Sequence, residues 1–245
     1  MIDAVRSEWI KVSTLVSSWV LIIVAAAFPL VVVVLTGVFA DDPQQSDDLA
    51  ELITGTTVVS ALLLGTLGVL AITADFSHNT IRPTFAALPD RWRALLAKPI
   101  VQLAITAAVV VGVVVAGWIA GSALLDGDQS LSGEGVLAAL AGIVLLAMGL
   151  SILGYGLGLL VRNTALAICI LLLWPLVVEG ILAGLFSAAG AEDLQRWLPY
   201  RAGFNMIITD SPEDELGRVG GGLWFFAWVA VVTGFGLWSA KRRDA

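Results

Sequence analysis

Glu179 is the residue whose placement most asks for chemistry, because it sits without another charge in the apolar run LLLWPLVVEG. Burying a carboxylate at membrane depth costs at least about 3 kcal/mol. Its oxygens must therefore meet a partner, water or the interior of a helix bundle. Two readings stand: a hydrogen bond across helices or between subunits, or a place on a substrate path. Proton coupling is a thinner third, since a pump needs further polar relay groups within its spans. Pro175, about one turn earlier, leaves the Leu171 carbonyl without its helical N–H, which marks an irregular stretch beside the acid.

The other reactive side chains exclude more than they offer. His78 is the only histidine and Cys169 the only cysteine, which supports neither a disulfide framework nor a cysteine- or histidine-based metal site. It also argues against a serine–histidine protease. Cys169 reads as a small buried hydrophobe. No G-x-x-x-x-G-K-[ST] occurs, so the chain lacks a P-loop for nucleotide phosphates. The chain is not read as an enzyme: no catalytic residue, metal site or cofactor of its own is expected. Nucleic-acid binding has no support, because the basic residues are spread as topology demands.

The elements that position these residues follow from composition. Of 245 residues, 58% are apolar and 13% charged, with mean hydropathy +0.94; a soluble domain carries about 25% charged residues. Crossing the hydrocarbon core takes about 20 apolar residues, and six segments suffice: 19–40, 52–74, 100–125, 136–161, 165–189 and 219–240. Backbone groups in lipid must bond within their own segment, so these are helices. The first is not read as a cleavable signal peptide, being too long and followed by no clear small-x-small site before the acidic loop. The expectation is an all-α, polytopic membrane protein forming one transmembrane domain over 1–245.

Charge gives the orientation. The 41–51 connection holds five acids and no base, and the 126–135 connection holds Asp126, Asp128 and Glu134. Arg82, Arg91, Arg93 and Lys98 lie between the second and third spans, Arg162 after the fourth, and Lys241, Arg242 and Arg243 at the C-terminus. With both termini inside, ten Lys/Arg against five acids face the cytoplasm, and three against fourteen face out. Cytoplasmic loops collect Lys and Arg, so both termini are expected in the cytoplasm and the chain in the plasma membrane.

Three segments exceed a plain bundle. Residues 1–18 read as an interfacial helix with Val5, Trp9, Val12 and Val16 on one face and Arg6, Glu8 and Lys11 mostly elsewhere; a plain extension of the first span is the other reading. In the 75–98 loop, Thr80 suits an N-cap, Pro83 the first turn, and Ile81, Phe85 and Leu88 an apolar stripe. Pro89 ends that helix, and Asp90 caps a second one through Arg91–Lys98. The short helix docks on a cytoplasmic protein or lies on the membrane. The 190–218 segment mixes Trp197, Tyr200, Phe204 and Met206 with Pro199 and Gly203, as in a lid, a re-entrant pair of short helices, or an ordinary interfacial loop. Glycines at 112, 117, 121, 149, 154 and 158 permit close helix packing.

The run ITADFSHNTIRPTFAALPDRWRALLAKPIV resembles the ABC-2-type transporter permease family, the membrane subunits of bacterial ABC exporters. Asp75 and Phe76 stand for an acid–aromatic pair, Thr80–Ala86 for a TIRPTLA-like helix, and Arg91–Lys98 for a basic stretch. The opening SEWIKVSTLVSSWVL and WPLVVEGIL in the fifth span are also similar to the family, whereas Asp75 replaces a commoner glutamate and Asn79 an expected glycine. The resemblance implies a permease working with two copies of a separate ABC ATPase, which carries the ATP and Mg, and with a second permease subunit. Thr80, Ile81, Arg82, Pro83, Phe85, Leu88, Arg91 and Arg93 would couple ATPase closure to the bundle. The N-terminal helix, with Trp9 and Lys11, would pack nearby. The apolar interior favours export of a hydrophobic or amphiphilic substrate such as a drug, antibiotic or lipid. Alternatives are a proton-coupled secondary transporter using Glu179 and a non-transporting membrane scaffold.

Overall fold

The structure is a computed structural model that describes residues 2–39, 45–77, 91–125, 130–133, 135–209 and 216–243, without the side chains of 77, 91–95, 241 and 243. Every regular element among them is helical: α1 Ile2–Thr14, α2 Val16–Phe39, α3 Ser46–Ser77, α4 Arg91–Leu124, α5 Val136–Val161 and α6 Thr164–Leu173. A π-helical stretch Trp174–Val178 leads into α7 Glu179–Ala188, then a 3-10 helix Glu192–Trp197, α8 Pro199–Phe204 and α9 Gly217–Arg243.

Six helical stretches are long and apolar enough to cross a membrane: Val16–Phe39, Ser46–Phe76, Leu96–Leu124, Val136–Val161, Thr164–Ala188 and Gly217–Ala240. This all-α architecture suggests a multi-pass membrane protein. α3 and α5 form its centre, with 67% and 61% of their apolar windows buried, against 17% for α2 and for α6–α7. The central pair approaches closely because glycines remove the intervening side chains. A Cβ on Gly154 would strike the Gly65 carbonyl, and one on Gly68 would strike the Ser151 carbonyl. Leu64, Leu67, Ile143, Leu146 and Leu150 fill the core around this crossing.

Helix ends depart from the hydropathy boundaries for local reasons. α3 begins at Ser46, so acids expected in a loop lie in its first turn, where they suit the helix dipole. The Gln45 N–H donates to Asp48 Oδ2 at 2.9 Å, the reciprocal half of a capping box. α1 ends where the Ser13 and Thr14 hydroxyls both donate to the Ile10 carbonyl, a local alternative to the helical ladder. The Trp19 indole N–H then donates to the Ser13 carbonyl at 2.9 Å, bracing the α1–α2 elbow.

In α1 the buried residues are Ala4 and Glu8, and Trp9 is exposed, as is Val16 at the start of α2. The face toward the bundle is thus chosen by an ion-paired acid as well as by Val5 and Val12, which pack half-buried on the core. Cys169 is exposed, not buried. A Cβ at Gly112 would meet nothing within 4 Å, so that glycine serves no close packing. Thr80, Ile81, Arg82, Pro83, Phe85 and Leu88 lie outside the described residues. Arg91 and Arg93 lie in the first turn of α4, their side chains also outside the description.

Candidate functional site

A buried ionic cluster joins three helices at the end of the bundle from which the 78–90 connection leaves. Lys98 of α4 is 5% exposed, with its ammonium 2.8 Å from Glu8 Oε2 of α1 and 2.7 Å from Asp75 Oδ2 of α3. Lys11 donates to Glu8 Oε1 at 2.7 Å and stands 3.9 Å from Asp75 Oδ1. Among the described residues these two carboxylates and two ammonium groups balance, the condition under which charges persist in a low-dielectric site. Partial burial alone would pull the Lys11 ammonium down, but its hydrogen bond to Glu8 and the charges of Glu8 and Asp75 outweigh it, so its pKa lies above the usual lysine value.

Neighbouring side chains extend this cluster. Tyr155 of α5 is almost fully buried and lies in the field of both carboxylates. The Arg162 guanidinium stands 4.7 Å above the Phe76 ring, a cation–π contact. Arg162 also ends α5 in the left-handed conformation, φ 53°, and Asn163 caps α6 by accepting the Leu166 N–H at 3.0 Å. Along α4, Gln102 and Thr106 follow Lys98 at successive turns. Gln102 Nε2 donates to the Leu64 carbonyl at 3.0 Å, and Thr106 Oγ1 donates to Ser151 Oγ at 3.1 Å. A polar seam therefore runs from the cluster into the span.

Glu179 belongs to a second constellation. Its carboxylate accepts the backbone N–H groups of Tyr200, at 2.8 Å, and Arg201, at 2.9 Å. Those N–H groups lie in the first turn of α8, where a carboxylate is favoured. The Tyr200 hydroxyl donates to the Leu171 carbonyl at 3.3 Å, the group that Pro175 cannot serve. The π-helical stretch lies between these two ties, and the Glu179 N–H bonds back to the Trp174 carbonyl.

The segment after α7 is thus drawn into the bundle: Tyr200, Ala202, Gly203, Asn205, Met206 and Ile207 are buried. A Cβ at Gly142 would strike the Met206 carbonyl, about 9 Å along α5 from its first residue. Trp197 packs edge-on against Trp224 at 5.3 Å, and its carbonyl accepts the Trp224 indole N–H. Below Tyr200, α5, α6, α8 and α9 border an apolar cavity of about 160 Å³ that includes Trp174 and Phe225.

Of the residues singled out from sequence, Lys11 joins the ionic cluster, Glu179 the joint between α7 and α8, and Trp9 stays at the surface. Glu8, Tyr155 and Tyr200 were not singled out as polar centres. The available signal was opposite charge at the ends of apolar runs: Asp75 closes one and Lys98 opens the next. Among the described residues no group of acids, histidines and cysteine is arranged to hold a metal. No protein-family model matches this chain, and no curated protein matches it.

Proposed function

We propose that this chain is the permease subunit of an ATP-driven exporter of the ABC-2 type, with both termini in the cytoplasm of a plasma-membrane assembly. The single observation that carries the reading is the position of the Glu8–Asp75–Lys98 cluster. Asp75 and Lys98 stand on either side of the 78–90 connection, so force on that connection meets a stiff base tied to α1. A helix running from Thr80, with Ile81, Phe85 and Leu88 toward a partner and Arg82, Arg91 and Arg93 around them, would pass movement into α3 and α4. ATP and Mg belong to that partner, an ABC ATPase expected in two copies beside two permease subunits. The cargo is hydrophobic or amphiphilic, in keeping with the apolar cavity below Tyr200.

Proton-coupled transport through Glu179 is the weaker reading, because both of its oxygens are engaged by backbone N–H groups. The test is ATPase activity of the partner in proteoliposomes with this chain. Phe85→Asp and Arg82→Glu should insert normally and lower the stimulated rate at least tenfold. Undiminished stimulation sinks the coupling assignment, and transport that persists without ATP but collapses with the proton gradient favours the Glu179 alternative.

A further inference from the structure

A groove of about 380 Å³ opens between α1, α2 and α4. Ala104 and Ala108, one turn apart, form its floor on α4, Ile22 flanks it, and Trp9 and Trp19 stand at its rim. α2 and α4 are span-forming helices, so the groove faces lipid rather than bulk water. We propose that it holds one acyl chain of a phospholipid from the leaflet on the N-terminal side, with the lipid's ester and phosphate oxygens meeting Trp9 and Arg6. This inference is independent of the transport reading.

Shape argues for a chain. An apolar cavity of about 150 Å³ accommodates benzene, so this groove takes a longer apolar segment. Its floor from Ala104 to Val109 runs about 8 Å along α4. Water is a poor occupant, since it needs two to four polar partners. The one lining hydroxyl, that of Ser13, already donates to the Ile10 carbonyl. An empty groove would forfeit dispersion contacts along its walls.

The rim argues for a headgroup. The Trp19 indole N–H is taken by the Ser13 carbonyl. Trp9 is 53% exposed, and its indole N–H has no hydrogen bond among the described residues, leaving a donor at the mouth. Arg6, exposed, lies one turn before Trp9 on the same side of α1, whereas Lys11 is committed to Glu8 and Asp75. Tryptophan and arginine at the edge of an apolar slot match a headgroup above its chain.

Native mass spectrometry of the purified full chain, after exchange from a phosphatidylglycerol–phosphatidylethanolamine mixture into detergent, tests this. The wild type should retain about one phospholipid per chain. Ala104→Phe/Ala108→Phe should lower that occupancy at least fivefold, while Ile119→Phe, on the exposed part of the same helix, should not. Ala108→Leu gives the smaller filling if the double variant does not fold, and should lower occupancy in part. Trp9→Phe and Arg6→Gln should each lower it two- to threefold. No retained lipid in the wild type, equal retention in all variants, or a retained species that is not a phospholipid would each overturn the proposal.

Discussion

Lys98 shows what a single side chain contributes here. Two acids from different helices approach the same ammonium, and the side chain is nearly sealed from solvent. Replacing it by methionine keeps most of the volume but removes the buried ammonium that lies between the two carboxylates. Lys98→Met should therefore lower stability by about 3–5 kcal/mol, whereas Lys11→Met, at the exposed rim, should cost under about 1 kcal/mol. Thermal unfolding in detergent reads both, and equal effects would refute the buried-cluster account. At Glu179, Glu179→Leu should cost about 1–2 kcal/mol through loss of the α8 cap, and Glu179→Gln less, since one carbonyl oxygen still accepts. The need for a partner at Glu179 was legible, because a lone charge in an apolar run admits few outcomes. The partner itself was not: it is a pair of backbone N–H groups 21 and 22 residues away, and every residue but proline carries one. Glu8 was hidden for a similar reason, since its counter-ion lies 90 residues on.

Helices were legible from the length of apolar runs, because lipid tolerates few other backbones. Their pairing was not, since hydropathy is the same on a helix facing lipid and one facing protein. Glycine content hinted at contact without saying which glycine serves. Gly154→Val should push α5 off α3, because the added atoms meet the Gly65 carbonyl, and should cost about 1–3 kcal/mol. Gly112→Val, with open space around it, should be near neutral in the same thermal assay. Comparable losses at both sites would refute the assignment of the α3–α5 crossing. The short helices after α7 escaped a unique reading because their apolar residues are interrupted by proline and glycine. What draws them inward is the repair of a carbonyl orphaned by Pro175, a hydrogen-bond requirement that periodicity does not register.

Along the whole chain, the sequence sorts charge between alternate connections far more cleanly than any helix reveals by itself. That asymmetry predicts sidedness. In a Cys169→Ser background, Ser132→Cys should react with a membrane-impermeant maleimide on intact cells, and Ser7→Cys only after permeabilisation. The reverse pattern would invert the orientation. A further consequence follows from the order in which the chain is made. Glu8 and Asp75 leave the ribosome before Lys98, and at 5–20 residues per second the interval from Glu8 to its cation, 90 residues later, lasts on the order of ten seconds. During that interval Glu8 has Lys11, three residues on, at the exposed rim, but not its buried counter-charge. A chain halted before Lys98 would hold Glu8 and Asp75 against Lys11 at the exposed rim without the buried ammonium between them, so the α1–α3 pair should be less stable before α4 arrives than after it.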